Sequence, residues 1–242
     1  MTLANIFELS GTSKRYGSVE AVKNLNLKIN SAHRITGFLG CNGAGKSSVI
    51  RMLVGISNPS SGTVTVLGNP MDCGQIGSRI RQNIAYVAED KQCYKYLSVA
   101  EMVGFTRSFY QDWNTNLEKD LLAQWDLPLK CKVGALSKGM RTKLALLLAL
   151  SRRPKLLILD EPTEGLDPVA IEQLLERLTA AAADGTSVFF SSHQISEVER
   201  IAHHICIIDR GSLMVDLPLS RIQETTNLRD LFLKTTASGV KR

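Results

Sequence analysis

The stretch Gly40-Cys41-Asn42-Gly43-Ala44-Gly45-Lys46-Ser47 decides how the chain folds. It fits the pattern G-x-x-x-x-G-K-[ST], follows a predicted strand at 34–39 and opens a predicted helix at 45–55. Glycines let backbone N–H groups point into a concavity without Cβ clashes, and these groups bind phosphate oxygens at the helix N-terminus. The lysine ammonium reaches the β- and γ-phosphates, and the serine hydroxyl can ligate Mg²⁺. The stretch therefore predicts a site for a nucleoside triphosphate.

Hydrophobic periodicity on both sides of this stretch predicts an α/β fold. Alternating or short apolar runs predict strands at 6–10, 22–29, 63–67, 84–88, 156–159, 187–190 and 205–208. Helix-spaced apolar residues predict helices around 117–125 and at 143–150, 169–183 and 195–202. His203 and His204 fit no motif and are interpreted as a helix terminus. The alternation of strands and helices predicts a mainly parallel sheet covered by helices and interrupted by a mostly helical insert.

Composition excludes several classes of protein. The chain has 242 residues, of which 44% are hydrophobic and 21% are charged, so disordered, collagen-like and coiled-coil chains are excluded. The net charge of 29 − 23 = +6 favours anionic partners without choosing among nucleotides, nucleic acid and an anionic membrane face. Ordinary solubility explains the same charge equally well.

Cysteines and apolar runs indicate the compartment. The five cysteines are odd in number and form no CxxC pair, which argues against a disulfide framework or a thiolate zinc site and fits a reducing cytosol. No secretory signal precedes residue 10, and no apolar run reaches the length of about 18 residues that a bilayer span requires.

Two further segments carry chemistry. The buried strand at 156–159 runs into Asp160, Glu161 and Pro162, which predicts two carboxylates at the sheet edge where α/β proteins bind ligands. Asp160 can hold the Mg²⁺ shell, and Glu161 can polarise the water that attacks the γ-phosphate. In Leu136-Ser137-Lys138-Gly139-Met140, Ser137 precedes a helix and is either a simple N-cap or a phosphate contact.

The order of these motifs resembles the nucleotide-binding subunit of ABC transporters. The phosphate loop, Leu-Ser-x-Gly at 136–139, Asp-Glu-Pro at 160–162, Gly-Leu-Asp at 165–167 and a late His193 extend the resemblance from Phe7 to about Asp216. The spacing around Asp112 and the 136–140 variant are similar to exporter-type or antibiotic-resistance-type bacterial members.

The resemblance implies a fold and its division. We expect an α/β P-loop NTPase core of mainly parallel sheet, with an N-terminal antiparallel β portion and an inserted helical subdomain. Residues 1–217 would form one ABC ATPase domain, with a core at 1–89 and 154–217 and the helical insert at 90–153. Residues 218–242 would be a short C-terminal extension with one or two short helices.

The resemblance also implies site residues. It assigns the catalytic roles to Lys46, Glu161 and His193, with Glu161 as base and His193 on the γ-phosphate, and the metal shell to Ser47, Glu89 and Asp160. Residues expected to contact the nucleotide are Tyr16 (stacked on adenine), Gly40, Asn42, Gly43, Ala44, Gly45, Lys46, Ser47, Ser48, Ser137, Gly139 and Asp167. In the family, Ser137 and Gly139 act on the nucleotide of the other subunit, and Asp167 lies where the subunits meet.

The function implied is that of an ATP-binding and ATP-hydrolysing subunit with ATP and Mg²⁺ as cofactors. Two subunits would close around two ATP molecules, as a homodimer or as a heterodimer with a related ATPase subunit. This cycle would drive a separate integral membrane permease. The insert and residues 92–97 would be its docking surface, although an ordinary local core explains the aromatic residues of 92–97 equally well. The expected location is cytoplasmic, peripheral on the inner face of the cell membrane, with no nucleic acid bound.

Five residues depart from the family pattern. Glu89 stands where Gln is usual, which would add negative charge near the γ-phosphate and change the Mg²⁺ dependence. Lys138 replaces Gly and Met140 replaces Gln beside the cross-subunit contacts, and Glu164 stands where Ser is frequent. Cys41 is either a small tolerated residue or an oxidisable thiol.

Two other classes stay open at this point. A soluble ABC ATPase of ribosomes or DNA would also be basic, although such chains usually carry two nucleotide domains or a long coiled coil. A regulatory nucleotide-binding module without turnover is disfavoured by Glu161 and His193. Import and export are equally compatible with these residues.

Overall fold

A computed structural model describes residues 4–72, 78–90 and 93–237. The strands are β1 Asn5–Tyr16, β2 Val19–Asn30, β3 Ile35–Leu39, β4 Ser61–Val66, β5 Asn69–Pro70, β6 Ile84–Val87, β7 Leu156–Asp160, β8 Ser187–Ser192, β9 His204–Asp209 and β10 Ser212–Pro218. The helices are α1 Lys46–Leu53, α2 Ser78–Asn83, α3 Val99–Arg107, α4 Thr115–Gln124, α5 Lys138–Leu150, α6 Pro168–Ala183, α7 Ile195–Ile201, α8 Leu219–Thr225 and α9 Leu228–Ala237.

The main sheet has the strand order β10-β9-β3-β8-β7-β6 and is parallel except for β10. Every residue of β3, β7 and β8 is buried, as expected for parallel strands covered on both faces. The register pairs Leu39 with Ser192 and Asp160 with Ser191. The segments that follow β3, β7 and β8 therefore emerge side by side at the carboxyl edge of the sheet.

The second sheet is antiparallel and has the order β2-β1-β4-β5. Its inner face packs against the main sheet: the ring centroid of Phe7 on β1 lies 5.0 Å from that of Phe189 on β8, which in turn lies 5.2 Å from that of Phe38 on β3. These two sheets confirm the predicted α/β class, with a mainly parallel core and an N-terminal antiparallel portion.

Helices α3, α4 and α5 lie between β6 and β7 in sequence and share a core that includes Leu121, Trp125 and Leu144. Helix α3 begins with a capping box, in which Ser98 accepts from the Glu101 N–H and the Glu101 carboxylate accepts from the Ser98 N–H. Helix α5 begins five residues earlier than predicted, because Ser137 caps it. The helical insertion expected from the sequence is thus present.

Several predicted bounds were wrong. Strand β1 continues to Tyr16 rather than ending at residue 10, because its far half still pairs with β2. The prediction that His204 belongs to a helix terminus was wrong, because His204 pairs with Thr36 and begins β9. Strand β10 was not predicted. The C-terminal segment contains two short helices, α8 and α9, which pack on the core through Leu219 and Leu228.

Two observations concern the predicted compartment. Cys41, Cys93, Cys131 and Cys206 are free thiols, and Cys73 lies outside the described residues. Within the described ranges, no helix has both the length and the apolarity needed to cross a bilayer.

Candidate functional site

The phosphate loop is a tight turn between β3 and α1 that depends on glycine. Gly43 has φ +80°, and Gly45, the N-cap of α1, has φ +109°. A Cβ on Gly45 would lie 2.4 Å from the Ala21 carbonyl oxygen, so no side chain fits there. The first turn of α1 therefore directs its free N–H groups into the loop, as the sequence predicts for phosphate binding.

Lys46 places a buried ammonium at the base of this loop. Its side chain is only 7% exposed, and Nζ donates a 2.6 Å hydrogen bond to the Gly40 carbonyl. Nζ also lies 3.3 Å from Glu161 Oε1, an ion-pair distance without hydrogen-bond geometry. A buried charge needs such partners, and this arrangement holds the ammonium beside the predicted catalytic carboxylate.

The two carboxylates at the end of β7, Asp160 in the strand and Glu161 after it, are positioned by Ser191 on the neighbouring strand. The Ser191 hydroxyl donates to Asp160 Oδ1 at 2.6 Å, and the Glu161 N–H donates to Ser191 Oγ at 3.0 Å. Glu161 has φ +48°, a left-handed conformation that costs a non-glycine residue about 1–3 kcal/mol. In this conformation Glu161 Oε1 lies beside the Lys46 ammonium.

His193 follows β8 and contacts the carboxylate of Glu161. Nδ1 of His193 lies 2.9 Å from Glu161 Oε2, and the His193 backbone N–H donates to the same oxygen at 3.3 Å. The imidazole is half exposed and faces the cavity. Glu161 and His193, 32 positions apart in sequence, thus form one contact cluster with Lys46.

These groups line a cavity of about 670 Å³, which is of the size that holds a small ligand. Its lining residues are Ala21, Cys41, Asn42, Gly43, Gly45, Lys46, Ser47, Ser48, Glu89, Glu161, Glu164 and His193. Gly40 and Ala44 contribute differently: the Gly40 carbonyl holds Lys46, and Ala44 is buried in the core.

A second groove of about 960 Å³ lies between the sheet edge and the helical insertion. Ser47, Glu89 and Asp160 all line it, and Ser47 and Glu89 also line the first cavity. A hydroxyl and two carboxylates are hard oxygen donors of the kind that Mg²⁺ prefers, so the residues present fit the ion. Burial, together with the Asp160 charge, raises the pKa of the nearby Tyr86 to about 12, which keeps that phenol protonated.

Ser137, Gly139 and Asp167 lie outside both cavities. The Ser137 hydroxyl accepts from the Met140 N–H at 3.2 Å and caps α5. Asp167 caps α6, and the hydrogen bond from the Ala170 N–H lowers the pKa of its carboxyl. Within one chain these three residues do not meet the phosphate loop.

The structure also shows an ion pair that the sequence did not indicate. Lys138 Nζ lies 2.6 Å from Glu164 Oε1, so two residues that depart from the family pattern contact each other. The pair connects the start of α5 with the turn that follows Glu161. Next to it, a Cβ on Gly139 would lie 2.9 Å from the Gly165 carbonyl oxygen, so the two segments are in close backbone contact.

Tyr16 is the last residue of β1 and lies near Ser48, a residue in the first turn of α1. Its ring is 44% exposed, with Lys14 Nζ 5.2 Å from the centroid. Partial burial acts to raise the pKa of Tyr16, but hydrogen bonding to the Ser48 and Ser57 hydroxyls outweighs it and lowers the pKa. An exposed ring beside the phosphate loop is compatible with the predicted base stacking.

The sheet order, the glycine loop and the Lys46–Glu161–His193 cluster define a P-loop nucleotide-binding protein of the ATPase class. A family model described as "ABC transporter" matches residues 22–164. A model of an AAA domain, described as a putative AbiEii toxin of a type IV toxin–antitoxin system, matches the shorter segment 131–199. The chain belongs to the ABC transporter family and is an ATP-binding subunit of the kind that hydrolyses ATP.

Individual relatives and structures agree with this assignment. The bacitracin transport ATP-binding protein BcrA of Bacillus licheniformis is 32% identical over 92% of this chain and 72% of its own length. A Nod factor export ATP-binding protein I from Rhizobium sp. (strain N33) is 33% identical over 86% of this chain and 69% of its own length. A solved structure of an ATP-binding subunit of an ABC transporter has a TM-score of 0.86 at 26% identity, covering 97% of this chain and 99% of its own.

Proposed function

We propose that ATP binds with its phosphates in the 670 Å³ cavity and that Lys46, Glu161 and His193 carry out its hydrolysis. The observation that supports this proposal is their convergence: Glu161 lies 3.3 Å from the Lys46 ammonium and 2.9 Å from the His193 ring. Glu161 and His193 directly follow β7 and β8, and Lys46 begins the helix that follows β3, so the shared register of β3, β7 and β8 brings the three together.

The chemistry follows from these positions. The Glu161 carboxylate accepts a proton from water as the water oxygen attacks the γ-phosphorus, and the bond from that phosphorus to the β-bridging oxygen breaks to give ADP and phosphate. Lys46 and the loop N–H groups offset charge on the transferring phosphoryl group. His193 orients the Glu161 carboxylate from the opposite side.

We propose Ser47, Glu89 and Asp160 as the residues that hold Mg²⁺. When bound, the ion neutralises phosphate charge. Asp160 is fixed for this role by the Ser191 hydroxyl, and Glu89 brings a charge where the family usually has a neutral amide.

A dimer accounts for the residues that lie outside the cavity. Ser137, Gly139 and Asp167 cap or pack against helices at the surface of the chain, on the side of the turn that follows Glu161. Contact of Ser137 and Gly139 with the nucleotide of a second subunit would complete the site. Nucleotide that touches both subunits then favours the closed dimer, and its cleavage favours opening.

The work of this cycle is proposed to be done on an integral membrane permease, at the inner face of the membrane. The relatives are named as transport and export proteins, which supports a transport role. The helical insertion offers a docking surface: Tyr94, Tyr96, Phe105 and Phe109 are exposed, and neighbouring rings in this patch lie 5.0–5.7 Å apart. Gln92, part of the segment predicted to dock, lies outside the described residues. We retain the proposed division into a domain at 1–217, with insert 90–153, and an extension at 218–242.

The test compares the wild type with Glu161→Gln. The amide keeps the size of the side chain but cannot accept the proton, so we expect the ATPase rate to fall by about 100-fold or more while ATP still binds. The control is Lys46→Ala, which should weaken ATP binding itself. Normal turnover by Glu161→Gln would overturn the assignment of the base.

The same assays separate the alternatives. A regulatory module would bind ATP with no turnover in the wild type. A soluble ATPase of ribosomes or DNA would show nucleic-acid binding that weakens steeply with salt.

A further inference from the structure

Glu197 is a buried carboxylate next to the proposed site with no role assigned so far. It lies in the first turn of α7 and is 5% exposed. Helix α7 is fixed against β3 at Gly37, where an added Cβ would lie 2.2 Å from Val198 Cγ1. Glu197 therefore extends from a rigid support, and an acid is rarely placed in such a position without partners.

Its partners come from the turn after β7 and from the last residue of β8. The Thr163 hydroxyl donates to Glu197 Oε2 at 2.9 Å, and the Ser192 hydroxyl donates to the same oxygen at 3.2 Å. Thr163 lies two residues after Glu161, and Ser192 directly precedes His193. Thr163 is 3% exposed and Ser192 is fully buried. A single oxygen thus connects the loop of the proposed base with the loop of the histidine that contacts it.

The Glu161–His193 contact needs such support. Glu161 has the strained φ of +48°, so its loop relaxes unless surrounding contacts hold it. The Ser191 hydroxyl holds the loop at its start, and Thr163 holds it two residues later. Among the described hydrogen bonds, the Thr163 hydroxyl is connected to the segment that holds His193 only through the Glu197 carboxylate.

The electrostatics also connect Glu197 with the site. Burial raises the pKa of Glu197 and outweighs the hydrogen bonds from Thr163 and Ser192, and the negative charge of Glu161 acts in the same direction as burial. Oε1 of Glu197 is buried and has no hydrogen-bond partner within the described ranges.

We propose that Glu197 is a positioning residue for ATP hydrolysis: by accepting from Thr163 and Ser192 it holds Glu161 and His193 at their working distance. Glu197 lines neither of the two cavities, so it acts on the site only through Thr163 and Ser192. The inference rests on the proposed roles of Glu161 and His193.

The experiment measures kcat and KM for ATP, with thermal unfolding of each variant alongside. Glu197→Ala removes the shared acceptor, so we expect kcat to fall by about tenfold or more with KM within about twofold. Glu197→Gln keeps an acceptor oxygen and should restore kcat to within about threefold of the wild type. Thr163→Val should lower kcat, and Thr163→Val combined with Glu197→Ala should be no slower than Glu197→Ala alone.

A matched control for Thr163→Val is Thr12→Val. Thr12 is also fully buried, and its hydroxyl bonds one backbone carbonyl, that of Thr63, in the antiparallel sheet. It should lose stability without a change in kcat.

Wild-type kcat in folded Glu197→Ala, no rescue by Glu197→Gln, or additive effects of the Thr163 and Glu197 changes would each overturn the inference. The Glu161→Gln variant distinguishes failure of the proposed function from failure of this inference. Normal turnover by Glu161→Gln contradicts the proposed function. An inactive Glu161→Gln together with a normal Glu197→Ala contradicts only the inference about Glu197.

Discussion

Glu89 shows how one residue can shift the behaviour of a whole site. It is exposed and lines both the phosphate cavity and the groove beside it, in the company of Ser47 and Asp160. Its carboxylate places two negative side chains, rather than one, around the proposed position of the metal. Mg²⁺ is then both more strongly attracted and more necessary, because without it the carboxylate repels the triphosphate.

We therefore expect Glu89→Gln to raise the Mg²⁺ concentration needed for half-maximal ATPase activity. We also expect this variant to lose less ATPase activity than the wild type when Mg²⁺ is removed. Titration of Mg²⁺ at fixed ATP measures both effects. The exposed Glu172, which pairs with Arg200 away from either cavity, supplies the control Glu172→Gln. Superimposable titrations of the wild type and Glu89→Gln would contradict the assignment of Glu89 to the metal.

Glu197 also gives a prediction about pH. Burial raises its pKa in the folded protein above 4.5, so the folded state binds the proton more tightly than the unfolded state. The resulting stability is fully present below the unfolded pKa and is lost as pH rises through the folded pKa. We expect the unfolding temperature of Glu197→Gln, measured relative to the wild type, to increase between about pH 5 and pH 8. A difference that is constant across this range would contradict the raised pKa.

At the scale of elements, the exposed aromatic patch on the helical insertion is the feature that most needs a partner. The ring pairs Tyr94–Phe105 and Phe105–Phe109 meet edge to face, so the patch is held in shape before any partner arrives. Exposed aromatic clusters of this kind often anchor protein interfaces.

We expect the double substitution Tyr96→Ala with Phe109→Ala to reduce co-purification of the chain with the proposed integral membrane permease in detergent extracts of membranes, without changing ATP binding. Met214→Ala is the matched control, because Met214 is a similarly exposed apolar residue on β10. Undiminished co-purification would exclude this patch as the docking surface.

The elements also show what the sequence can and cannot predict. The glycine loop and the buried strands β3, β7 and β8 were predictable, because their residue types permit few alternatives. Strand β10 was missed because most of its residues are exposed or half-buried, so its sequence lacks a clear alternation of apolar and polar residues. The Lys138–Glu164 pair joins residues 26 positions apart and the Thr163–Glu197 contact joins residues 34 apart, and only the packing of α5 and α7 on the sheet brings them together.

At the scale of the whole molecule, the proposed site calls for two subunits. The residues that line the cavity and the residues 137, 139 and 167 lie on different parts of the chain surface, so under the proposed function one chain supplies only part of the expected contacts to each nucleotide. The ATP-bound dimer should therefore persist when hydrolysis is blocked.

We expect Glu161→Gln with ATP and Mg²⁺ to elute in size-exclusion chromatography with light scattering at twice the 26.6 kDa protomer mass. Lys46→Ala under the same conditions should remain a protomer, because it does not retain the nucleotide. A protomer mass for Glu161→Gln at saturating ATP would contradict homodimerisation and favour pairing with a related ATPase subunit.

The backbone contact between Gly139 and Gly165 has a mechanical consequence. A methyl group on Gly139 would clash with the Gly165 carbonyl oxygen, so the start of α5 packs backbone against backbone on the turn that follows Glu161. Because the two segments touch through backbone atoms here, we expect a displacement of α5 to shift this turn and, with it, the carboxylate proposed as the base.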